Sequence, residues 1–532
     1  MIDLYKHSYL ARLIALLTLW YREGAFCRAG KRLAAYYSIS RTRTLVERFA
    51  WTENRAVTGR YGAAFASLRD ICVRIGDILR QSLFYRLLCA VRSGFYRISE
   101  GSIVLSALKK LGLKRLVIIC FAFYMPIDYV MRNVLPIPFL ASVWDELFII
   151  FGIGFVLWRR MLRQSDALRR ETPLDGYLLL FIGIGFFLMC AVSPSMSIAI
   201  DGYRAVVQYL VWFFIMIRLI EDDGDFKTFY FSFLVMSLFI GAHGVYQYIV
   251  GVPIPASWVA QAEMGVRTRV FSITGSPNVL GSFLVMAAPF SAALIYYFKN
   301  KWLKLLAWGM TGGMLLALLF TFSRGAWVGI VVTVLLFSLL VDRRLILLMG
   351  AGIAGILVAV PSITSRIQFL FTSDYVEAST RGGRSIRWET GMNLLHDANE
   401  FLGFGLGRFG GAVAMQNKVI EETEEFKYFY MDNYYLKTAV EMGYLGLAIF
   451  IVLLIGLILW CLRSVIRSRL AGNGNYVLIC GMFSGLCGVL THCYFENIFE
   501  VPYMVAYFWG IAAAVLYVGL FQNKRQSAAR SD

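Results

Sequence analysis

The feature that most constrains this chain is a series of apolar segments, each long enough to cross a membrane as a helix. A hydrocarbon core of about 30 Å needs about 20 apolar residues in helical conformation, and such segments recur between residues 115 and 521. The chain is 58% hydrophobic and only 16% charged, which is too little charge to cover a water-soluble domain. The sequence therefore predicts an all-α polytopic integral membrane protein.

Turn residues and charged residues divide the apolar part of the chain into about twelve predicted transmembrane helices. We predict a basic region at 1–112, a membrane domain at 113–522 and a basic tail at 523–532. A long polar loop at 362–435 separates the ninth span from the tenth, and a loop of that length is usually functional. The predicted spans are 115–131, 143–158, 174–191, 204–219, 228–250, 280–297, 303–321, 326–341, 344–361, 436–462, 474–494 and 500–521.

Most of the net charge of +18 lies before the first span. Residues 1–115 contain 21 Lys and Arg against 7 Asp and Glu. Basic segments beside membrane helices stay in the cytoplasm and attract anionic lipid headgroups, so the charge favours a membrane partner and not nucleic acid. We predict amphipathic helices on the membrane surface in this region, with a poorly ordered basic extension as the alternative. Both termini are then cytoplasmic, and the loop at 362–435 lies outside.

Two patterns that often mark cofactor sites fail on their context. The glycine-rich segment 403–411 has no following Lys-Ser or Lys-Thr and no strand before it, so it does not predict a nucleotide-binding loop. The four histidines, at positions 7, 243, 396 and 492, lack metal-ligand spacing. We therefore expect neither a metal nor a cofactor.

Arginines near the predicted outer face are the strongest candidates for binding an anion. A guanidinium close to hydrocarbon is costly and is usually retained for a partner, and it binds phosphate through charge-assisted hydrogen bonds. The alternative is that Arg324 only reaches the lipid headgroups and that the loop arginines are only solvated. The candidate arginines are Arg267, Arg269, Arg324, Arg384 and Arg387.

A second group of polar residues lies where the long loop enters the tenth span. Asp432 and Asn433 are suited to cap that helix, and a plain N-cap is the alternative to a functional role. Glu441 lies deeper, where a carboxylate is costly unless it is paired. Its position therefore favours a functional role.

Four segments of the chain, which contain most of these arginines and polar residues, resemble the O-antigen ligase and polymerase superfamily of membrane glycosyltransferases. The resemblance covers roughly residues 115–521, and the matching segments recur in the family's order and on its expected side of the membrane. The basic region 1–112 lies outside it. The segments are Arg269 with Ser-Pro-Asn278-Val-Leu-Gly, Ser-Arg324-Gly-Ala-Trp, Arg387-Trp with the glycine-rich stretch that begins at Gly403, and Asp432-Asn433-x-Tyr-Leu with Glu441-x-Gly-x-x-Gly.

The resemblance implies an enzyme that transfers or polymerises glycans carried on undecaprenyl pyrophosphate, at the outer face of the cytoplasmic membrane. It implies that outer-face arginines bind the lipid pyrophosphate, which here points to Arg267 or Arg269 and to Arg384 or Arg387. The further substrate-binding candidates are Arg324, Asn278, Asn433 and Glu441. Ligases of the family carry a histidine before the asparagine of the long-loop motif, and this chain has Asp432 there. That departure favours a polymerase or a related glycopolymer enzyme, with Asp432 as the candidate general base and Arg384 and Arg387 as the other members of the candidate catalytic group.

Three other functions remain open from the sequence. A transporter or a flippase for lipid-linked glycans suits about twelve spans, although it predicts a polar site near the membrane midplane. A peptidoglycan polymerase of the shape, elongation and division family has a similar layout and donor. A non-catalytic scaffold predicts that Arg384, Arg387 and Asp432 tolerate replacement.

Overall fold

The computed structural model describes most of the membrane domain. It describes residues 41–51, 111–135, 137–161, 170–253, 268–359, 384–420 and 430–523, with single positions or pairs at 74–75, 77–78, 81, 86, 364–365, 368 and 372. The chain divides into two compact units, Met1–Asn54 and Arg55–Asp532. In the first unit, one helix is described, α1 (Arg41–Trp51). The predicted domain boundary at 112 and the role of the basic region stay predictions.

The second unit is built from helices, and the part of it that is described contains no β-strand. Each predicted span is helical over most of its described residues, which confirms the all-α fold. The helices are α2 (Leu113–Ala122), α3 (Tyr124–Tyr129), α4 (Pro138–Met161), α5 (Asp175–Ala191), α6 (Met196–Val207), α7 (Val211–Leu219), α8 (Asp223–Val250), α9 (Pro277–Tyr297), α10 (Lys301–Phe320), α11 (Arg324–Leu340), α12 (Arg344–Ala359), α13 (Arg384–Asp397), α14 (Ala412–Gln416), α15 (Tyr434–Leu470), α16 (Tyr476–His492) and α17 (Pro502–Leu516).

Seven helical segments of the described chain are long and apolar enough to cross a membrane. They are α4, the combined α6 and α7, α8, α9, α10, α15, and α17 with the π-helical turn that follows it. Four shorter apolar helices, α5, α11, α12 and α16, correspond to further predicted spans. The architecture is thus that of a polytopic membrane protein, and the number of about twelve spans stays a prediction.

Helix α16 packs closely against α9 and α11 because small residues line its contact surface. A Cβ built on Gly485 would come within 2.5 Å of the Met286 carbonyl oxygen of α9, and one on Gly488 would overlap Thr333 of α11. Small residues allow helix backbones to approach in this way inside membranes. The three helices therefore pack closely together, with the N-terminal ends of α9 and α11 beside the C-terminal end of α16.

Helix α15 is broken near its start, at Gly443, whose φ of 66° and ψ of −177° are not helical. The glycine-rich segment fills the break: the Tyr444 amide donates to the Glu400 carbonyl at 2.9 Å, and the Phe404 amide donates to the Val440 carbonyl at 2.7 Å. A Cβ on Gly443 would lie 2.3 Å from the Phe401 carbonyl oxygen. The segment at 403–411 therefore packs against the first two turns of α15.

A small hydrophobic cluster holds α13 against the first turns of α15. Its buried members are Leu395, Phe409, Met431, Ala439 and Val440, and Trp388 packs against them. Because α13 contributes both to this cluster and to the polar residues beside it, the cluster fixes which face of α13 is turned toward the segment before α15. Its arginines lie on that face.

Candidate functional site

The centre of the candidate site is a charge pair between the start of α13 and the residue before the cap of α15. Arg384 donates from Nε to Asp432 Oδ2 at 2.7 Å and from Nη2 to the Phe495 carbonyl at 3.0 Å. Trp388, one helical turn further, donates from Nε1 to Asp432 Oδ1 at 3.2 Å. Both carboxylate oxygens of Asp432 therefore accept hydrogen bonds from α13.

Arg387 brings a second cation to the same carboxylate. Its Nη1 lies 3.7 Å from Asp432 Oδ2 and donates to the Tyr430 carbonyl at 3.0 Å. The sequence predicted Arg384, Arg387 and Asp432 as one catalytic group. The structure brings the three together, although Arg384 and Asp432 lie 48 residues apart in the sequence.

Arg269 and Asn278 form a second part of the site at the N-terminal end of α9. Arg269 donates from Nε to the Thr321 carbonyl at 3.1 Å and from Nη2 to Asn278 Oδ1 at 3.4 Å. Asn278 in turn donates from Nδ2 to the carboxylate of Glu496. The two residues proposed to bind substrate are thus linked to each other and to an acidic residue that the sequence analysis did not single out.

Local hydrogen bonds fix the segment that carries Arg269. The side chain of Gln247, on α8, accepts from the backbone amides of Phe271 and Ser272. The Val270 amide donates to the Phe320 carbonyl at the end of α10. Because the segment is tied to two helices, Arg269 is held at the turn between α10 and α11.

Glu496 lies between the two parts of the site. It follows Phe495, whose carbonyl accepts from Arg384, and it accepts from Asn278 on the other side. Burial raises the pKa of Glu496 to about 7, helped by the nearby Asp432 charge and opposed by the Arg384 charge. The available sequence signal was an acidic residue in the short turn between the last two predicted spans, flanked by Phe495 and Asn497.

Asn433 and Glu441 have partners within the protein. Asn433 caps α15, because its Oδ1 accepts from the backbone amides of Tyr435 at 3.0 Å and Leu436 at 3.1 Å. Glu441 accepts from Lys437 Nζ at 3.0 Å and from the Phe409 amide at 3.1 Å. The plain N-cap considered for this pair of positions is thus the arrangement that Asn433 adopts, whereas Asp432 faces the arginines.

Arg324 begins α11 next to the site. The following residue, Gly325, lies so close to α16 that a Cβ there would come within 2.7 Å of both His492 and Phe495. Arg324 is therefore on the helix end that contacts the Phe495–Glu496 segment. Arg267, the remaining candidate, lies outside the described residues, and within the described ranges no group of His, Cys, Asp and Glu side chains is arranged to hold a metal ion.

The fold and this site define a polytopic helical membrane protein with arginines, carboxylates and an asparagine gathered where several helices end. A family model described as O-antigen ligase matches residues 309–451. The match begins in α10 and ends within α15, so it includes Arg324, Arg384, Arg387 and Asp432 and leaves out Glu496. It confirms, over this stretch, the resemblance indicated by the motifs. No curated protein matches the chain.

Proposed function

We propose that this protein is a membrane glycosyltransferase that transfers or polymerises glycan units carried on undecaprenyl pyrophosphate, on the outer face of the cytoplasmic membrane. The family match supports an enzyme of the O-antigen ligase and polymerase type. The observation that carries the proposal is the arrangement of Arg384 and Arg387 around Asp432, beside the end of α9 that carries Asn278 and near Arg269. Three arginines suit a pyrophosphate, which carries two phosphate groups.

The site is suited to the chemistry of this reaction. A sugar bonded through C1 to a pyrophosphate already carries a good leaving group, so the protein has to neutralise the growing negative charge and place one acceptor hydroxyl for attack. Arg384, Arg387 and Arg269 would do the first. The proton of the attacking hydroxyl would go to a carboxylate of the site, for which Asp432 is the candidate drawn from the sequence.

The helix ends that form the site argue for catalysis at one membrane face. The site lies at the N-terminal ends of α9, α11 and α15 and at the C-terminal end of α16, whereas a transporter of the alternating-access type is expected to hold its substrate near the midplane. The opposite helix ends carry basic residues, such as Arg343 in the turn after α11 and Arg467 and Arg469 at the end of α15, which by the positive-inside rule supports a cytoplasmic location for that face. The proposed active site then faces outward.

Cells that lack the protein provide the test. We would measure the length of the surface glycan and the amount and sidedness of undecaprenyl-linked intermediates in a deletion strain complemented with wild type, Arg384→Ala, Asp432→Asn or Arg343→Ala. The control residue, Arg343, is an exposed arginine in the turn between α11 and α12. Each variant's membrane level is checked by immunoblot.

We expect the deletion strain to lose long glycan chains and to accumulate single lipid-linked units on the outer face, with rescue by wild type and Arg343→Ala only. Accumulation on the inner face would indicate a flippase instead. Full rescue by Arg384→Ala and Asp432→Asn would show that these residues do not carry the reaction, as the scaffold alternative requires.

A further inference from the structure

We propose that Glu496 accepts the proton of the attacking sugar hydroxyl, and that Asp432 is a positioning residue that holds Arg384. This inference rests on the proposed function, because it assigns roles within the same reaction. It adds a catalytic residue that lies outside the matched family segment, which ends at residue 451.

Asp432 is poorly arranged to take up a proton from substrate. It is only 6% exposed. Its Oδ2 accepts from Arg384 and lies 3.7 Å from Arg387, and its Oδ1 accepts from Trp388. Charge-assisted contacts of this kind are stronger than contacts between neutral groups. This geometry suits a carboxylate that fixes the direction of the Arg384 guanidinium.

Glu496 is arranged differently although it lies in the same site. Within the part of the chain that is described, its carboxylate accepts one hydrogen bond, from Asn278 Nδ2 to Oε2, so Oε1 can accept from another donor. Its backbone neighbour Phe495 receives the second hydrogen bond of Arg384. A carboxylate oxygen of Glu496 can therefore meet a substrate hydroxyl that is bound between Asn278 and the arginines.

The surroundings of Glu496 place its pKa near neutral pH. Burial raises the pKa of Glu496, and the Asp432 charge adds to this. Arg384 and Arg387, which face it from α13, and the hydrogen bond from Asn278 lower the pKa, with a value of about 7 as the result. Cys493 and His492 lie at the end of α16 just before it, and Arg324 starts the helix that packs on Phe495. A general base works best when its pKa is near the working pH, so Glu496 suits this role.

The proposed step balances without a further reactant. The acceptor hydroxyl gives its proton to the Glu496 carboxylate while its oxygen forms a bond to C1 of the donor sugar. The bond between C1 and the phosphate oxygen breaks, and its electron pair stays on undecaprenyl pyrophosphate, whose charge Arg384 and Arg387 stabilise. Glu496 then releases the proton to water. The products are the longer glycan and undecaprenyl pyrophosphate.

The test is a pH profile of glycan transfer by the purified full-length protein in proteoliposomes. The donor and acceptor are undecaprenyl-pyrophosphate-linked units extracted from the deletion strain, and the product is measured by mass spectrometry. The variants are Glu496→Gln, which retains an oxygen for Asn278, Glu496→Asp and Asp432→Asn. Glu389→Gln is the matched control, because Glu389 is an exposed glutamate on α13.

For wild type and Glu389→Gln, we expect kcat to rise tenfold per pH unit at acid pH and to level off above about pH 7. Loss of a general base costs about 10²–10⁴-fold in rate, so Glu496→Gln should lose at least about a hundredfold in kcat with little change in KM, and its profile should be flat. Glu496→Asp should recover part of the rate and the pH dependence. In Asp432→Asn, kcat should still rise with pH at acid pH (the acid limb of the profile). This rise should occur at a lower pH, because the variant lacks a charge that raises the pKa of Glu496.

Protonation of Glu496 does not unfold the protein, so the loss of kcat at acid pH cannot come from unfolding caused by this residue. Its pKa in the folded protein is raised above the usual 4.5, so the stability that it contributes is fully present below pH 4.5 and is lost as the pH rises through about 7. Acid therefore stabilises the protein at this residue while it removes the base.

The inference is overturned if Glu496→Gln keeps the acid limb, or if Asp432→Asn removes the limb while Glu496→Gln retains wild-type kcat. Failure of the proposed function has a different result: wild type itself forms no longer glycan and releases no undecaprenyl pyrophosphate. In that case both proposals fall together.

Discussion

The pair between Arg384 and Asp432 is expected to stabilise the fold by a measurable amount. Exposed ion pairs contribute about 0.2–1 kcal/mol, whereas breaking a buried pair costs about 3–5 kcal/mol. This pair is intermediate, since the Arg384 side chain is 36% exposed and that of Asp432 is 8% exposed. Polar pairs between membrane helices average about 0.6 kcal/mol and reach about 1.7 kcal/mol. We therefore expect a coupling energy of about 1 kcal/mol.

A double-mutant cycle measures this coupling. The free energy of unfolding is followed in mixed micelles by titration with SDS for wild type, Arg384→Gln, Asp432→Asn and the double variant. The double variant should be less destabilised than the sum of the single ones by about 1 kcal/mol. The matched control is the pair of Arg344 and Asp342, which lie 4.0 Å apart with the arginine side chain 68% exposed. Their coupling energy should be below about 0.5 kcal/mol. Additive effects at Arg384 and Asp432, within about 0.3 kcal/mol, would refute the reasoning.

Three further changes test the scaffold of the site by the same unfolding measurement. Gly443→Ala should destabilise the protein by at least about 2 kcal/mol, because the new Cβ would sit at a positive φ and clash with backbone. The control Gly312→Ala, whose Cβ would meet nothing within 4 Å, should be neutral or stabilising. Equal effects of the two substitutions would contradict this. Asn433→Ala should lose about 1 kcal/mol of cap stability and Asn433→Asp little, and no difference between them would exclude the cap as the cause. Glu441→Gln should cost about 3–5 kcal/mol, because it leaves Lys437 buried without its carboxylate partner. The double variant Lys437→Met with Glu441→Leu should cost less, because it removes both charges. A larger loss in the double variant would show that the ion pair is not what matters at these positions.

The sequence was sufficient to predict the all-α membrane fold, because each span is a long apolar run that needs no knowledge of its neighbours. The break at Gly443 was not predicted. A glycine inside an apolar helical pattern is usually tolerated. This break depends on Phe401 and the start of the glycine-rich segment that follows it, which fill the break. Long-range packing therefore decided the local conformation.

The candidate site could be predicted in part for the same reason. Arg384, Arg387 and Asp432 were grouped because arginines and a carboxylate near one membrane face suit an anionic substrate, and the structure places them in contact. Glu496 was missed because its partner Asn278 lies 218 residues away. Neighbouring residues alone also could not show that Asn433 caps the helix while Asp432 faces the arginines.

The most direct test of the central claim is glycan transfer by the purified protein alone. Full-length protein in liposomes is supplied with undecaprenyl-pyrophosphate-linked units, and the longer glycan and the released undecaprenyl pyrophosphate are both quantified. We expect equal amounts of new glycosidic bonds and released lipid pyrophosphate from wild type and Arg343→Ala, and a rate at least about a hundredfold lower from Arg384→Ala, as for loss of a group that stabilises transition-state charge. Release of neither product by wild type, or undiminished transfer by Arg384→Ala, would contradict the account.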